Sequence, residues 1–267
     1  MVSVTVIFGL VIAFCFGSSD FLSKGLTGQV GAYRTTIYTL TTSGIFVIVP
    51  SLLFGLPKAL SFTDVAVLAL VAFSTFAAFL FMYKGYQRGN LSVVSPTVNS
   101  FPIFSVVFAV IVLKVTVSDQ VLLALAGVIV GIILVSTNIS GVGAMRGRSI
   151  TPGVPEAILA AFFFAMGFTL LGYADETIGY LLPVVSARLG AASVGFLAGI
   201  SLKQNLSPFG GRPLLRVIAM GALEAGGLLS FSLALFYSST IGALPIITTL
   251  SGSERRGSPL PHGLREK

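Results

Sequence analysis

Charge is scarce in this sequence. Charged residues make up 9% of the 267 residues and hydrophobic residues 55%, whereas a soluble domain is roughly a quarter charged. A globular protein of this length would need far more polar surface to stay in water. The scarcity of charge therefore excludes an ordinary soluble domain and indicates that lipid surrounds most of the chain.

Cysteine, histidine and tryptophan are also nearly missing. The sequence holds one cysteine, one histidine and no tryptophan, so an internal disulfide, a zinc cluster and a histidine-based catalytic triad are all excluded. Cys15 lies within the first apolar run, and His262 lies in the polar C-terminal segment. The sequence also has no glycine loop of the phosphate-binding type. We therefore expect no cofactor, no metal ion and no ATP-driven step.

The net charge of +7 comes from basic residues that stand singly or in pairs between apolar runs. Basic residues in such positions are typical of the cytoplasmic loops of membrane proteins, whereas nucleic-acid binding needs a clustered basic face. We therefore expect a lipid bilayer and a small-molecule substrate as partners, and no nucleic acid.

Apolar runs long enough to cross a bilayer recur along the chain. A spanning helix needs about 20 mostly apolar residues, and on this rule we predict spans at 2–21, 32–54, 65–83, 91–113, 121–137, 157–173, 181–202 and 214–237. A ninth run, 240–251, is too short to cross the hydrocarbon as a helix. Tyrosines next to the ends of these runs predict an aromatic belt at the headgroup level: Tyr33, Tyr83, Tyr86, Tyr173, Tyr180 and Tyr237.

The two halves of the chain share a weak common pattern. The segment AFCFGSSDFLSKGL, from Ala13, aligns with AFFFAMGFTLLGYA, from Ala161. Further along, Arg34 aligns with Arg188. The matches keep the same order in both halves, which favours an internal duplication.

The duplication defines the predicted fold class. Residues 1–140 would form the first unit of five spans, residues 153–252 a second, incomplete unit, and residues 253–267 a polar tail. A second copy of an odd-span unit enters the membrane from the opposite side. We therefore predict an all-α integral membrane protein with an inverted repeat of five-helix units (5+5) and about eight or nine spans. Because the repeat stops at residue 252, we expect a truncated or frame-shifted C-terminus.

These features resemble the drug/metabolite transporter superfamily, specifically the EamA-like permeases. The features that carry the resemblance are the repeat, the aligned arginines and the passage YKGYQRGNLSVVSPTVNSFP, which begins at Tyr83 and is echoed by FSLALFYSSTIGALPIITTLSG from Phe231. The resemblance covers about residues 5–252 and implies a ten-helix fold that exports or exchanges small metabolites. One departure is that the Gly-Glu-Arg motif common after the fourth span is replaced by Lys114-Val115-Thr116.

Glu224 is the leading candidate for a functional residue. It lies near the centre of the predicted span 214–237, where an acidic side chain is costly and marks a functional site by default. Such a carboxyl tends to be protonated and could couple solute movement to a proton, whereas a purely structural alternative is a protonated Glu224 that bonds to a neighbouring helix. Arg188 could bind an anionic substrate group or pair with Glu224. Arg34, near the start of its span, is better explained by snorkelling to the interface.

The fourth span carries a polar stripe. Ser92, Ser95 and Asn99 recur at helical spacing, and Pro96 removes a backbone donor within the same span. Thr248 continues the pattern in the second half. The stripe predicts either the lining of a substrate cavity or interhelical hydrogen bonds.

Four further interpretations concern short polar segments and glycine motifs. The threonines of the second span are a weaker candidate for the same cavity lining. Asp20 is interpreted as a helix cap, and Asp175 and Glu176 as a solvated loop. The motifs Gly127-x-x-x-Gly131 and Gly195-x-x-x-Gly199 indicate intrachain helix packing, with a homodimer as the alternative.

Basic residues in alternate connections set two possible orientations. One set of connections holds eight lysines and arginines and the other only Lys58 and Lys114, which places the first set in the cytoplasm and the N-terminus outside. The resemblance implies the opposite orientation, because the family usually has its N-terminus inside. The sequence leaves both open.

The predicted function is secondary transport of small metabolites or drugs by alternating access in the plasma membrane, with proton coupling as a candidate mechanism. One alternative is an inactive, truncated remnant of such a transporter. The other is a membrane-embedded enzyme, which we do not expect because the acidic residues are scattered along the chain.

Overall fold

Inside a bilayer the backbone must satisfy its own hydrogen bonds, so the apolar runs fold as helices. The computed structural model describes residues 2–54, 60–111, 152–179 and 181–241, with a few isolated positions between 112 and 151. Within these ranges every regular element is a helix. The predicted spans 121–137 and 240–251, the tail 253–267 and Thr248 lie wholly or almost wholly outside the described residues.

Nine α-helices and one π-helical turn make up the described part of the chain. The helices are α1 (Val2–Val30), α2 (Ala32–Phe54), α3 (Phe62–Arg88), α4 (Leu91–Val98), α5 (Phe101–Ile111), α6 (Val154–Ile178), α7 (Leu181–Val185), α8 (Ala191–Ser201) and α9 (Arg212–Ile241). The π-helical turn, Ser186–Gly190, joins α7 to α8 without interrupting the rod.

Among the described residues, six stretches are long and apolar enough to cross a membrane. They are Ile7–Val30, Phe62–Arg88, Leu91–Phe108, Val154–Asp175, Leu181–Ser201 and Arg212–Ala234. Each corresponds to a predicted span. The predicted span 32–54 is also helical, as α2. The chain is therefore a multi-pass membrane protein that is helical throughout its described ranges, and the total of eight or nine spans in a 5+5 repeat stays a prediction.

Helix α1 is longer than the sequence predicted. We expected the first span to end near residue 21, but the helix continues to Val30 because its polar side chains find local partners. The Ser23 hydroxyl donates to the Asp20 carbonyl oxygen at 2.7 Å, and the Thr27 hydroxyl donates to the Lys24 carbonyl oxygen at 3.1 Å. The interpretation of Asp20 as a helix cap is therefore wrong, since Asp20 lies in the interior of α1.

The bundle is held together by close helix contacts at small residues. Helix α1 packs along α9, and α3 packs along α6. A Cβ atom added to Gly195 would lie 2.5 Å from the Ile37 side chain, and one added to Gly199 would lie 3.0 Å from the Tyr33 ring. Both glycines of this motif therefore serve packing within the chain. The motif at Gly127 lies mostly outside the described residues.

Two glycines of α9 allow a direct test of this packing. Gly221→Ala is expected to lower the free energy of unfolding by about 1–3 kcal/mol, since its methyl group would overlap Thr42 and lie 2.8 Å from the Ser43 backbone nitrogen. Gly226→Ala is the matched control, because its methyl group would lie 3.6 Å from the Cys15 sulfur in ordinary contact. Denaturant unfolding followed by circular dichroism compares the two, and equal stabilities would contradict the packing described.

Two tyrosines and one aspartate lie deeper than expected. Tyr83 and Tyr86 are fully buried within the bundle, so the prediction that they belong to a headgroup belt is wrong. Tyr173 is half-exposed, as a belt residue would be. Asp175, predicted to lie in a solvated loop, is buried in the last turn of α6, so that prediction is also wrong. Hydropathy gives the depth of a residue but not the face of the helix on which it lies.

One end of the bundle, which we term the basic end, gathers lysines and arginines from the ends of the described helices and from the connection 202–211. Helix directions and contacts place the end of α1 beside the start of α9, and the end of α3 beside the start of α6. The residues at this end are Lys24, Arg34, Lys84, Arg88, Lys203, Arg212 and Arg216. Contacts across it include a salt bridge from Arg88 to Glu156.

The basic end is closed by direct backbone contact. The Lys24 ammonium donates two hydrogen bonds, one to the Tyr86 carbonyl oxygen and one, of 2.6 Å, to the Gly89 carbonyl oxygen. Gly153 adopts a left-handed conformation, with φ of 87°, where it meets the end of α3. A Cβ atom at Gly153 would lie 2.6 Å from the Gly85 carbonyl oxygen. The glycines at 85, 89 and 153 therefore allow the end of α3 and the start of α6 to contact each other through their main chains.

Candidate functional site

A cavity lies midway along the helices, between α1, α3, the α4–α5 junction, α6, the π-helical turn and α9. It holds about 680 Å³ of empty space, including its mouth. Its polar wall residues are few: Asp20, Thr75, Asn99, Arg188 and Glu224. Six phenylalanines form much of the remaining wall: Phe16, Phe79, Phe101, Phe163, Phe164 and Phe168. The cavity is therefore an apolar, aromatic chamber with a small number of charged groups.

Arg188 and Glu224 form a buried ion pair on the cavity wall. Arg188 Nη2 donates to Glu224 Oε2 at 3.1 Å and to the Glu224 backbone oxygen at 3.2 Å. The two side chains are 3% and 4% exposed. The guanidinium carbon also lies 5.0 Å from the centre of the Phe79 ring. The sequence placed the two residues at similar depth, and the structure brings them into contact.

The π-helical turn positions Arg188. A π turn holds one more residue than an α turn, and such turns are frequent at functional sites. Here the Ser186 hydroxyl donates to the Leu68 carbonyl oxygen at 2.8 Å, which ties the turn to α3. Gly190 faces Ala72 closely enough that a Cβ atom would lie 3.0 Å from its methyl group. The wide turn is therefore anchored on α3, with Arg188 directed toward α9.

Asp20 is the functional candidate that sequence reasoning missed. Its carboxylate accepts a hydrogen bond from the Ser95 hydroxyl at 3.0 Å. The side chains of Tyr86, Asn99 and Glu224 also surround it. The available signal was an acidic residue between the apolar run 2–16 and the apolar pair Phe21-Leu22, but the intervening Gly17-Ser18-Ser19 suggested the end of a helix.

Only part of the polar stripe of the fourth span lines the cavity. Asn99 lines the cavity, and its amide donates to the Ser95 carbonyl oxygen at 2.9 Å. Ser95 reaches the cavity through Asp20. Ser92 is exposed and Pro96 lies inside α4, and neither is among the described cavity-lining residues. Helix α4 ends at Val98, and α5 begins at Phe101.

Arg34 lies at the basic end, away from the cavity. Its guanidinium donates to the Ser207 carbonyl oxygen at 2.7 Å and lies 5.0 Å from the centre of the Phe209 ring. The threonines of α2 are likewise absent from the described cavity lining. Thr36 and Thr41, for example, donate back to carbonyl oxygens of their own helix. Their suggested role in lining the cavity is therefore wrong.

The cavity contains two carboxyl groups and one guanidinium group. With Arg188 charged, the site is electrically neutral when one of Asp20 and Glu224 is ionised and the other carries a proton. Unbalanced charge in hydrocarbon is costly, so a proton or another cation completes the site. Within the described ranges there is no group of three His, Cys, Asp or Glu residues that could hold a metal ion.

Comparisons with known proteins agree with this architecture. The model of the EamA-like transporter family matches residues 3–137. One crystal structure of a protein aligns over 94% of this chain and 95% of its own, with 17% sequence identity and a TM-score of 0.55, which indicates a shared fold. A comparison with curated proteins gives no match. The family match covers half of the chain, and the chain therefore belongs to the EamA-like transporter family.

Proposed function

We propose that this protein is a secondary transporter that moves a small organic solute by alternating access and couples that movement to protons. The observation that carries the proposal is the Arg188–Glu224 ion pair on the wall of a cavity at mid-depth. Ionisable residues inside membrane bundles are rare and mark solute or proton pathways. A buried ion pair gives little net stability, so a purely structural role explains it poorly.

Alternating access requires two bodies that close the cavity on one side at a time. The cavity lies between helices of the first predicted unit, 1–140, and helices of the second, 153–252. Contacts at the basic end, between Gly89 and Gly153 and between Arg88 and Glu156, join the same two units. We propose that these contacts open and close while the two units rock about the cavity as inverted repeats.

The basic end suggests the orientation in the membrane. Lysines and arginines accumulate in cytoplasmic connections, so we propose that the basic end faces the cytoplasm of a plasma-membrane protein. Helix α1 runs toward that end, which places the N-terminus outside. Single cysteines are introduced at Lys203 and Lys58 in a Cys15→Ser background, and labelling with a reagent that cannot cross the membrane tests this arrangement. The proposal predicts labelling of the Lys58 site alone in intact cells.

Transport itself is tested with purified protein in liposomes. The panel contains amino acids, sugars and organic cations, measured with and without a pH gradient. We expect saturable flux of at least one solute above the protein-free rate, and a change in its rate when the gradient is reversed. Folded protein that gives the protein-free rate for every solute would contradict a transport function. Flux that ignores the pH gradient would contradict proton coupling alone.

A further inference from the structure

We propose that the cavity takes a protonated amine with an aromatic or bulky apolar body, and that Asp20 is the counter-ion of its ammonium group. This inference rests on the proposed transport function and names the class of its substrate. It follows from the charge of the cavity, the chemistry of its wall and the surroundings of Asp20.

The charges of the cavity favour a monocation. Arg188 is already engaged by Glu224 and by the Phe79 ring. Asp20 takes part in neither of the salt bridges found between described residues, and its carboxylate is held by the Ser95 hydroxyl. Lys24 follows one turn later on α1, but its ammonium is bound to carbonyl oxygens at the basic end. A solute with one positive charge would therefore neutralise the site.

The wall of the cavity specifies the rest of the solute. Rings from α3, α5 and α6 form a continuous aromatic surface, in which Phe101 and Phe168 stack at 5.0 Å and Phe79 and Phe164 meet at 5.3 Å. Such faces attract both apolar groups and cations, as the position of Arg188 over Phe79 illustrates. A sugar would leave most of its hydroxyl groups unpaired against this wall, which is costly.

Asp20 can hold either the ammonium or a proton. The groups that face it are Tyr83 and Tyr86 from α3, Ser95 from α4, Asn99 just after α4, and Glu224 from α9. Arg188 of the π-helical turn lines the same cavity. Among these, the cavity holds the single cation Arg188, so the carboxyl needs a proton when no amine is bound. Entry of one ammonium would therefore release one proton, which gives a one-for-one exchange.

The experiment measures binding of radiolabelled 2-phenylethylamine to the full-length protein in lipid nanodiscs by equilibrium dialysis. The neutral 2-phenylethanol and the anionic 3-phenylpropionate are the comparison ligands. We expect the amine to bind at least about tenfold more tightly than either, because Asp20 supplies a buried counter-charge. Competition with a proton predicts that the apparent Kd of the amine rises by up to about tenfold per unit decrease in pH.

Variants assign the effect to Asp20. Asp20→Asn is expected to lose at least about tenfold in amine affinity while its affinity for 2-phenylethanol stays unchanged. Asp64→Asn is the matched control, since Asp64 caps the exposed start of α3 by accepting from the Ser61 backbone, and it should bind the amine like the wild type. If Asp20→Asn does not fold, Asp20→Glu and the three ligands on the wild type decide the question.

Each outcome separates this inference from transport itself. Equal binding of amine and alcohol, or tighter binding of the carboxylate, would overturn the role of Asp20. Amine binding without flux in liposomes would uphold the site and refute the transport function. Flux of another solute, if amines neither compete with it nor drive it, would support transport but contradict the proposal that the substrate is an amine.

Discussion

Glu224→Gln is expected to abolish proton-coupled transport and to lower the free energy of unfolding by about 3–5 kcal/mol. The variant leaves the Arg188 guanidinium buried without its counter-charge, since the pair is nearly inaccessible to solvent. An amide can still accept a hydrogen bond, but it cannot neutralise the guanidinium charge, which leaves Asp20 as the remaining carboxyl of the cavity that could balance Arg188. Flux in liposomes measures the first effect, and denaturant unfolding followed by circular dichroism measures the second.

A double variant distinguishes a functional ion pair from a structural one. Arg188→Met combined with Glu224→Met removes both charges and is expected to regain most of the stability lost by Glu224→Gln, because apolar residues can replace a buried pair at little cost. It should remain inactive in transport. Wild-type flux from the double variant would show that the pair serves packing alone.

A second salt bridge provides the control for the energetic argument. The bridge from Arg88 to Glu156 involves an arginine side chain that is 65% exposed. Exposed pairs contribute roughly 0–1 kcal/mol, so Glu156→Gln should change stability by no more than that. A loss as large as that of Glu224→Gln would mean that burial does not decide the cost.

Gly153→Ala is expected to cost about 2–5 kcal/mol, which combines the strain of a left-handed alanine with overpacking. Gly153 has φ of 87°, and its added methyl group would lie 2.6 Å from the Gly85 carbonyl oxygen and 3.0 Å from the Gly89 backbone. These are main-chain atoms, which cannot rotate away as a side chain can. Relief therefore requires that α3 and α6 separate at the basic end.

Gly31 provides a matched control for backbone strain. It has φ of 88°, and an added methyl group would meet nothing within 4 Å. Gly31→Ala is therefore expected to cost only the strain, about 1–2 kcal/mol. Unfolding measurements on both variants in the same detergent give the difference, which reports the main-chain contact between α3 and α6. Equal losses at the two positions would contradict that contact.

The spanning helices could be predicted because length and hydropathy are properties of the sequence alone. Six predicted spans recur as apolar helices, and α2 has the predicted bounds 32–54, but the end of α1 was not predicted. Helix α1 continues past residue 21 because its polar side chains find partners, which for Lys24 are the carbonyl oxygens of Tyr86 and Gly89 at the end of α3. Helix α2 holds its threonines by bonding them to its own backbone, as Thr36 does. Such partners are not visible in the pattern of one run.

The candidate site was predictable only in part, for a related reason. The depths of Glu224 and Arg188 follow from their places in their spans, but their contact depends on how α9 faces the π-helical turn. Asp20 was assigned to a helix end because small polar residues precede it. Tyr86 was assigned to the headgroup region, yet it is buried beside Asp20. The rotation of each helix about its axis decides whether such side chains face the cavity, and packing between segments distant in the sequence sets that rotation.

The π-helical turn at Ser186–Gly190 amounts to one additional residue accommodated within a continuous rod. An α-helix advances about 100° per residue, so deletion of Ala187 would convert the turn to α-helix and swing the two flanking segments by that angle relative to each other. Arg188 could not then face Glu224 while α8 kept its packing. The gain or loss of a single codon would therefore create or remove the Arg188–Glu224 ion pair of the cavity, while the membrane-spanning helices stayed intact.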